Sequence, residues 1–105
     1  MPKFVVCLTT VAKKKDAERL STALVRKKCV ACVNVLPITA SFYHWKNKLC
    51  KDSEYLLLMK TSATQVKRLE RELTAIHPYE CPEFIVLPIL NGSKKYLEWI
   101  AENVG

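Results

Sequence analysis

Eight consecutive residues, His77-Pro78-Tyr79-Glu80-Cys81-Pro82-Glu83-Phe84, concentrate the chemistry of this 105-residue chain. Five of them (His77, Tyr79, Glu80, Cys81 and Glu83) carry groups that ligate a metal or move a proton, and Pro78 and Pro82 stiffen the path between them. An imidazole, a soft thiol and carboxylates so close together make a mixed donor set suited to copper or zinc. The structural alternative is a His77 that ends a helix, a Tyr79 packed on a sheet and two solvated glutamates. Both readings stand at this level. A catalytic reading would use Cys81 as nucleophile, His77 as base and Glu80 as acid. No nucleophile elbow, oxyanion-hole motif or cofactor fingerprint accompanies them, so a non-enzymatic role without an organic cofactor is expected.

The flanking pattern says what must hold this segment. Upstream, Val66, Leu69, Leu73 and Ile76 recur at helical spacing behind Ser62-Ala63-Thr64-Gln65, which has the spacing of a capping box. That helix must stop near His77, because Pro78 disfavours helical backbone in the residue before it. Downstream, Phe84 to Leu90 reads as a strand. Asn91-Gly92-Ser93 is a turn with a helix cap, and Leu97, Ile100 and Val104 line one side of a last helix.

Earlier in the chain, Lys3 to Thr10 is a valine-rich strand and Lys13 to Lys28 an amphipathic helix through Ala17, Leu20 and Leu24. Val30 to Trp45 and Leu49 to Thr61 form two long strand patterns joined by the polar turn Lys46-Asn47-Lys48. Pro37 cannot donate a ladder hydrogen bond, so it marks a bulge or an edge. The order βαββαβ with a C-terminal helix predicts an α+β, ferredoxin-like fold over residues 1–105 as a single domain, with both crossover helices on one side of a four-stranded antiparallel sheet. The other side, and hairpin arms longer than the sheet needs, call for cover. Self-association is the simplest way to supply it.

Bulk properties narrow the class. Half the residues are hydrophobic and only two are glycine, which argues against a disordered chain. No apolar run reaches the length of a membrane span and no signal-like segment opens the sequence, so a cytoplasmic protein without membrane attachment is expected. The net charge of +7 is concentrated between Lys13 and Lys28. A solvated helix surface explains it better than nucleic-acid binding, because no aromatic or Gly-rich partner motif accompanies it. Five cysteines, an odd number, do not suggest a disulfide framework, and Cys7 reads as a buried hydrophobe. Cys29-Val30-Ala31-Cys32 has C-x-x-C spacing but falls where a helix ends, and a thiolate gains from a helix beginning. The turn after the first strand, Thr9-Thr10-Val11-Ala12, holds neither a cysteine pair nor a Gly-rich phosphate cradle.

Several stretches together resemble the CutA family of divalent-cation tolerance proteins. These are Ala31-Cys32-Val33-Asn34-Val35, Tyr43-His44-Trp45-Lys46-Asn47-Lys48, Met59-Lys60-Thr61, His77-Pro78-Tyr79-Glu80 with Pro82-Glu83, and Tyr96-Leu97 with Trp99-Ile100. The resemblance runs in order over essentially the whole chain. It implies a homotrimer with hairpins packed on neighbouring subunits, a link to tolerance of ions such as copper, and a site in a cleft between subunits. Carried onto this sequence, it implies a cleft holding His77, Tyr79 and Glu80, with Cys32, Asn34, Trp45 and Lys60 in support. The expected metal ligands are then His77, Glu80 and Cys81, for Cu or Zn. The alternative is a small-anion or metabolite sensor using Lys60 in the same cleft. Asn47 stands where glycine is usual, and Cys29 and Cys81 where aliphatic residues are common.

Overall fold

The computed structural model describes residues 2–105. Its elements are β1 (Phe4–Val11), α1 (Lys14–Arg26), β2 (Cys32–Trp45), β3 (Lys48–Ser62), α2 (Val66–Ile76), β4 (Ile85–Pro88) and α3 (Lys94–Glu102). The sheet order is β2-β3-β1-β4, all pairs antiparallel. The expected α+β, ferredoxin-like arrangement is therefore present.

Alternation along the strands divides the sheet into two faces. On one, Val5, Cys7 and Val11 of β1 and Leu57 and Met59 of β3 meet Ala17, Leu20 and Leu24 of α1 and Leu69 and Leu73 of α2. Leu20, Leu24 and Leu69 are completely buried, each contributing roughly 1.5–3 kcal/mol of hydrophobic stabilisation. Cys7 lies in this core, and burial pushes its thiol up to about 11.

Helix ends follow backbone logic, with one departure from the sequence reading. The helix α1 closes in a Schellman motif: Lys28 N–H donates to Val25 O (3.0 Å) and Cys29 N–H to Leu24 O (3.1 Å). Lys28 takes the left-handed conformation (φ 58°) that glycine usually supplies there. The capping box at Ser62 is not made. Gln65 Oε1 accepts from Arg68 Nη1 (3.2 Å) instead of reaching back, and Ala63–Gln65 form a 3-10 turn before α2. Strand β4 is shorter than Phe84 to Leu90, because only Ile85 to Pro88 pair with β1. Ser93 caps α3 as expected, accepting from Tyr96 N–H.

The hairpin projects. β1 pairs with β3 only as far as Tyr55, so the ribbon from Ile38 and Glu54 to the tip has no third strand, and the molecule measures 44 × 25 × 22 Å. At the tip Lys46 (φ 50°) and Asn47 (φ 63°) are both left-handed, making a two-residue turn of the kind that matches strand twist. Pro37 sits on an edge strand, and just beyond it Thr39 and Ala40 bulge opposite Ser53, whose hydroxyl donates to Thr39 O.

Candidate functional site

That bulge decides what faces the chemistry-bearing segment. Side chains alternate with a period of two, so one extra residue reverses the faces beyond it. Before the bulge Leu36 and Ile38 share a face with Leu56 and Glu54; after it, Ser41, Tyr43 and Trp45 do. Tyr43 and Trp45 are thereby brought to the side of the sheet opposite α1 and α2. There the loop after α2 meets them, and together they enclose a cleft of about 520 Å³. One wall is Tyr43, Trp45, Glu54 and Thr10; the other is Pro78 to Cys81 with Glu83.

The helix α2 stops at Ile76, and His77 is extended (φ −73°, ψ 136°), as Pro78 demands. The imidazole turns back onto β1. Its Nε2 lies 3.0 Å from Thr10 O and 3.1 Å from Thr9 Oγ1, while Nδ1 is 3.1 Å from the Tyr79 amide. A carbonyl only accepts and an amide N–H only donates. Nε2 therefore carries the hydrogen and Nδ1 accepts, which fixes a neutral tautomer. Burial holds the imidazolium below its ordinary pKa, outweighing the opposing pull of the Thr10 carbonyl and Asp16. His77 acts as a pin between the loop and the sheet, with both ring nitrogens engaged.

Tyr79 packs beside it, ring centroids 5.0 Å apart, and its hydroxyl donates to Glu54 Oε1 at 2.9 Å. Burial and that carboxylate together raise the Tyr79 phenol far above its usual pKa. The Tyr43 hydroxyl donates to Asp52 Oδ2, which pushes its own pKa up to about 12. Burial, and then the nearby Glu54 charge, raise the Glu83 carboxyl above its ordinary value. The cleft is thus acidic. Glu54, Glu80 and Glu83 line it with the Cys81 thiol, and no lysine or arginine does, in a chain of net charge +7.

The residues expected to share one site are divided. Trp45, Tyr79, Glu80 and Cys81 line the cleft. Cys32, Asn34 and Lys60 lie on the same sheet face but toward its other end. Cys32 pairs with Lys60, and its thiol is 3.8 Å from Asn34 Oδ1. Lys60 Nζ sits 5.6 Å from the Tyr96 ring of α3, and the six residue steps from Glu54 to Lys60 along β3 span about 20 Å. Within one protomer Lys60 therefore does not reach the cleft. Nor are His77, Glu80 and Cys81 gathered as a ligand set: among the described residues no three His, Cys, Asp or Glu side chains converge to hold a metal ion. Cys29 is buried at the end of α1 and Cys32 is half-buried. Glu54, Tyr43 and Thr10 escaped the sequence reading as site residues. Tyr43 stood in a matching motif, but its face depends on the bulge, and Glu54 carried no local signal.

Between the cleft and α3 the same face is apolar and open. Leu36, Ile85 and Leu87 are 42%, 45% and 45% exposed in the protomer. A projecting ribbon, a half-covered sheet and an acidic cleft beneath the ribbon define a small α+β domain of the ferredoxin-like class. Comparison with known proteins makes this specific. Residues 5–103 match the model of the CutA1 divalent ion tolerance protein family, and the chain belongs to that family.

Among its relatives, the divalent-cation tolerance protein CutA of Thermus thermophilus is 40% identical over 95% of this chain and 97% of its own length. A CutA homolog of Danio rerio is 42% identical over 92% of this chain, which spans 65% of that protein, and the chloroplastic CutA of Arabidopsis thaliana is 41% identical over 91%, which spans 53%. The structure superposes on CutA1 of Oryza sativa with a TM-score of 0.95 at 36% identity, covering 99% of this chain and 95% of that one. It superposes on the periplasmic CutA of Archaeoglobus fulgidus with 0.93 at 33%, covering 97% and 99%. By their names, these relatives belong to more than one compartment. No helix among the described residues is long and apolar enough to cross a membrane.

Proposed function

We propose that this chain handles divalent cations, copper or zinc, as a self-associated trimer whose cation contact is the acidic cleft. One observation carries the reading: three carboxylates and a thiol surround the cleft without a basic side chain, on a protein that is otherwise strongly basic. Burial, and then the Glu54 charge, disfavour the ionised Glu83, and a divalent cation beside it would favour the carboxylate. Cys81 supplies the soft donor that favours copper or zinc over magnesium or calcium. His77 contributes from behind, by holding the loop that carries Glu80 and Cys81.

Among the described residues these donors line the cleft without three of them converging on one point, so a donor from a second copy completes the site. The open apolar row of Leu36, Ile85 and Leu87 supports association, because single proteins seldom leave such a surface to water. The number three rests on the family resemblance. Five cysteines, an odd number, suit a reducing compartment, and we place the protein in the cytoplasm. The reading is one of binding, not catalysis. The anion-sensing alternative draws no support from a cleft lined with carboxylates, about 20 Å along β3 from Lys60.

Calorimetric titration of the purified protein with Zn²⁺ and with Cu²⁺ tests the site, alongside Cys81→Ser, Glu80→Gln and Glu83→Gln. Each substitution should weaken binding at least severalfold. Unchanged affinity and stoichiometry in all of them would remove the cleft from metal binding.

A further inference from the structure

The cleft is walled by more than its carboxylates. Three aromatic residues, Tyr43, Trp45 and Tyr79, line it together with Glu54 and Glu83. Two of the three are tied in place, the Tyr43 hydroxyl by Asp52 and the Tyr79 hydroxyl by Glu54. Both hydroxyls are donors in these bonds, which keeps the phenols neutral and enriches their rings in electron density. Aromatic rings attract cations through their quadrupole, most strongly for Trp, and the attraction suits a diffuse organic cation better than a small hydrated metal ion. A volume of about 520 Å³ is that of a small-molecule site, far above the roughly 30 Å³ of a single water. A lone metal ion would occupy only a small part of that volume.

We propose that this cleft binds an organic ammonium ion, its charge set against Glu54 and Glu83 and its alkyl groups against Trp45, Tyr43 and Tyr79. The inference rests on the reading of the cleft as a cation site and assigns that site a second class of cation. Trp45 supplies the selectivity, because it distinguishes an alkylated cation both from a metal ion and from a neutral molecule of the same shape. The bulge at Thr39 and Ala40 is what makes the site, since without it Trp45 and Tyr43 would stand on the opposite face from Glu54.

The test is calorimetry on the full chain in its native assembly, with tetramethylammonium chloride, n-butylammonium chloride and the neutral tert-butyl alcohol as separate titrants. Both ammonium salts should bind saturably, and the alcohol at least tenfold more weakly. Trp45→Leu should lose about tenfold in ammonium affinity, in line with the strength of a cation–ring contact. Glu83→Gln, which leaves every aromatic wall in place, should lose a similar factor, and circular dichroism confirms that each variant is folded. Equal binding of the alcohol, no saturable ammonium binding, or full affinity in both variants would overturn the proposal. A parallel Zn²⁺ titration separates the two readings. Zinc binding without ammonium binding defeats this inference alone, whereas ammonium binding without zinc binding defeats the divalent-metal reading and leaves this one standing.

Discussion

Removing the His77 ring separates a pin from a ligand. In His77→Ala the Thr10 carbonyl and the Tyr79 amide both lose their partner, and the Thr9 hydroxyl loses a neighbour. Thr9 is completely buried and Thr10 only 9% exposed, so little water can replace the ring on that side. An unsatisfied buried acceptor costs about 1–3 kcal/mol, and the half-buried Tyr79 amide adds less because solvent reaches it. The expected loss is about 2 kcal/mol, a fall in melting temperature of roughly 10 °C for a chain of this length.

The gap should also depend on pH. Burial lowers the folded pKa of His77 beneath the ordinary 6.5, so below that value the unfolded chain binds the extra proton more readily. The contribution of His77 is therefore present above pH 6.5 and fades as pH falls through the folded pKa, so the parent and variant melting curves should converge on the acid side. Differential scanning calorimetry from pH 8 to pH 5 reads both effects. Zn²⁺ titration of the variant should retain the stoichiometry of the parent. A melting temperature within about a degree of the parent would show that the ring makes no stabilising hydrogen bonds and refute the tautomer argued above.

Other substitutions probe the frame. Lys28→Gly should raise the urea midpoint without changing the slope, by about 0.5–1 kcal/mol, because left-handed backbone costs an L-residue about 1–2 kcal/mol and glycine's greater unfolded freedom returns only part of that. Destabilisation would mean that the Lys28 side chain contributes more than its backbone costs. Glu83→Gln should stabilise the protein at neutral pH. The raised folded pKa of Glu83 means that its ionisation opposes folding as pH rises above the ordinary 4.5, so the benefit should vanish in acid, and a gap that persists at pH 4 would count against it. Leu36→Asp combined with Leu87→Asp places charge on the open sheet face, and sedimentation should then report single chains. An unaltered assembly would put the subunit contact elsewhere.

Much of this arrangement was legible in the residues. Helical spacing through Leu20 and Leu24, and through Leu69 and Leu73, gave α1 and α2 and the core they fill, because burying an apolar stripe leaves few other packings. Pro78 fixed the end of α2 one residue early enough to free His77 from the helix. Cap choices were less legible. Whether Gln65 reaches back to Ser62 or across to Arg68 is a contest between two hydrogen bonds of similar strength, and local sequence does not rank them.

The sequence by itself determined the order of elements, the projecting ribbon, the end of α2 at His77 and the concentration of donors that follows it. These are consequences of periodicity and of proline backbone geometry, both of which act over a few residues. Tertiary structure alone decided which donors meet. A single bulged residue at Thr39 and Ala40 turned Tyr43 and Trp45 toward Glu54, and the contact with β1 turned the His77 ring inward to Thr10. The faces of paired strands reverse with each residue of register, and a ring nitrogen chooses among partners distant in sequence, so neither outcome is encoded at the position where it is felt.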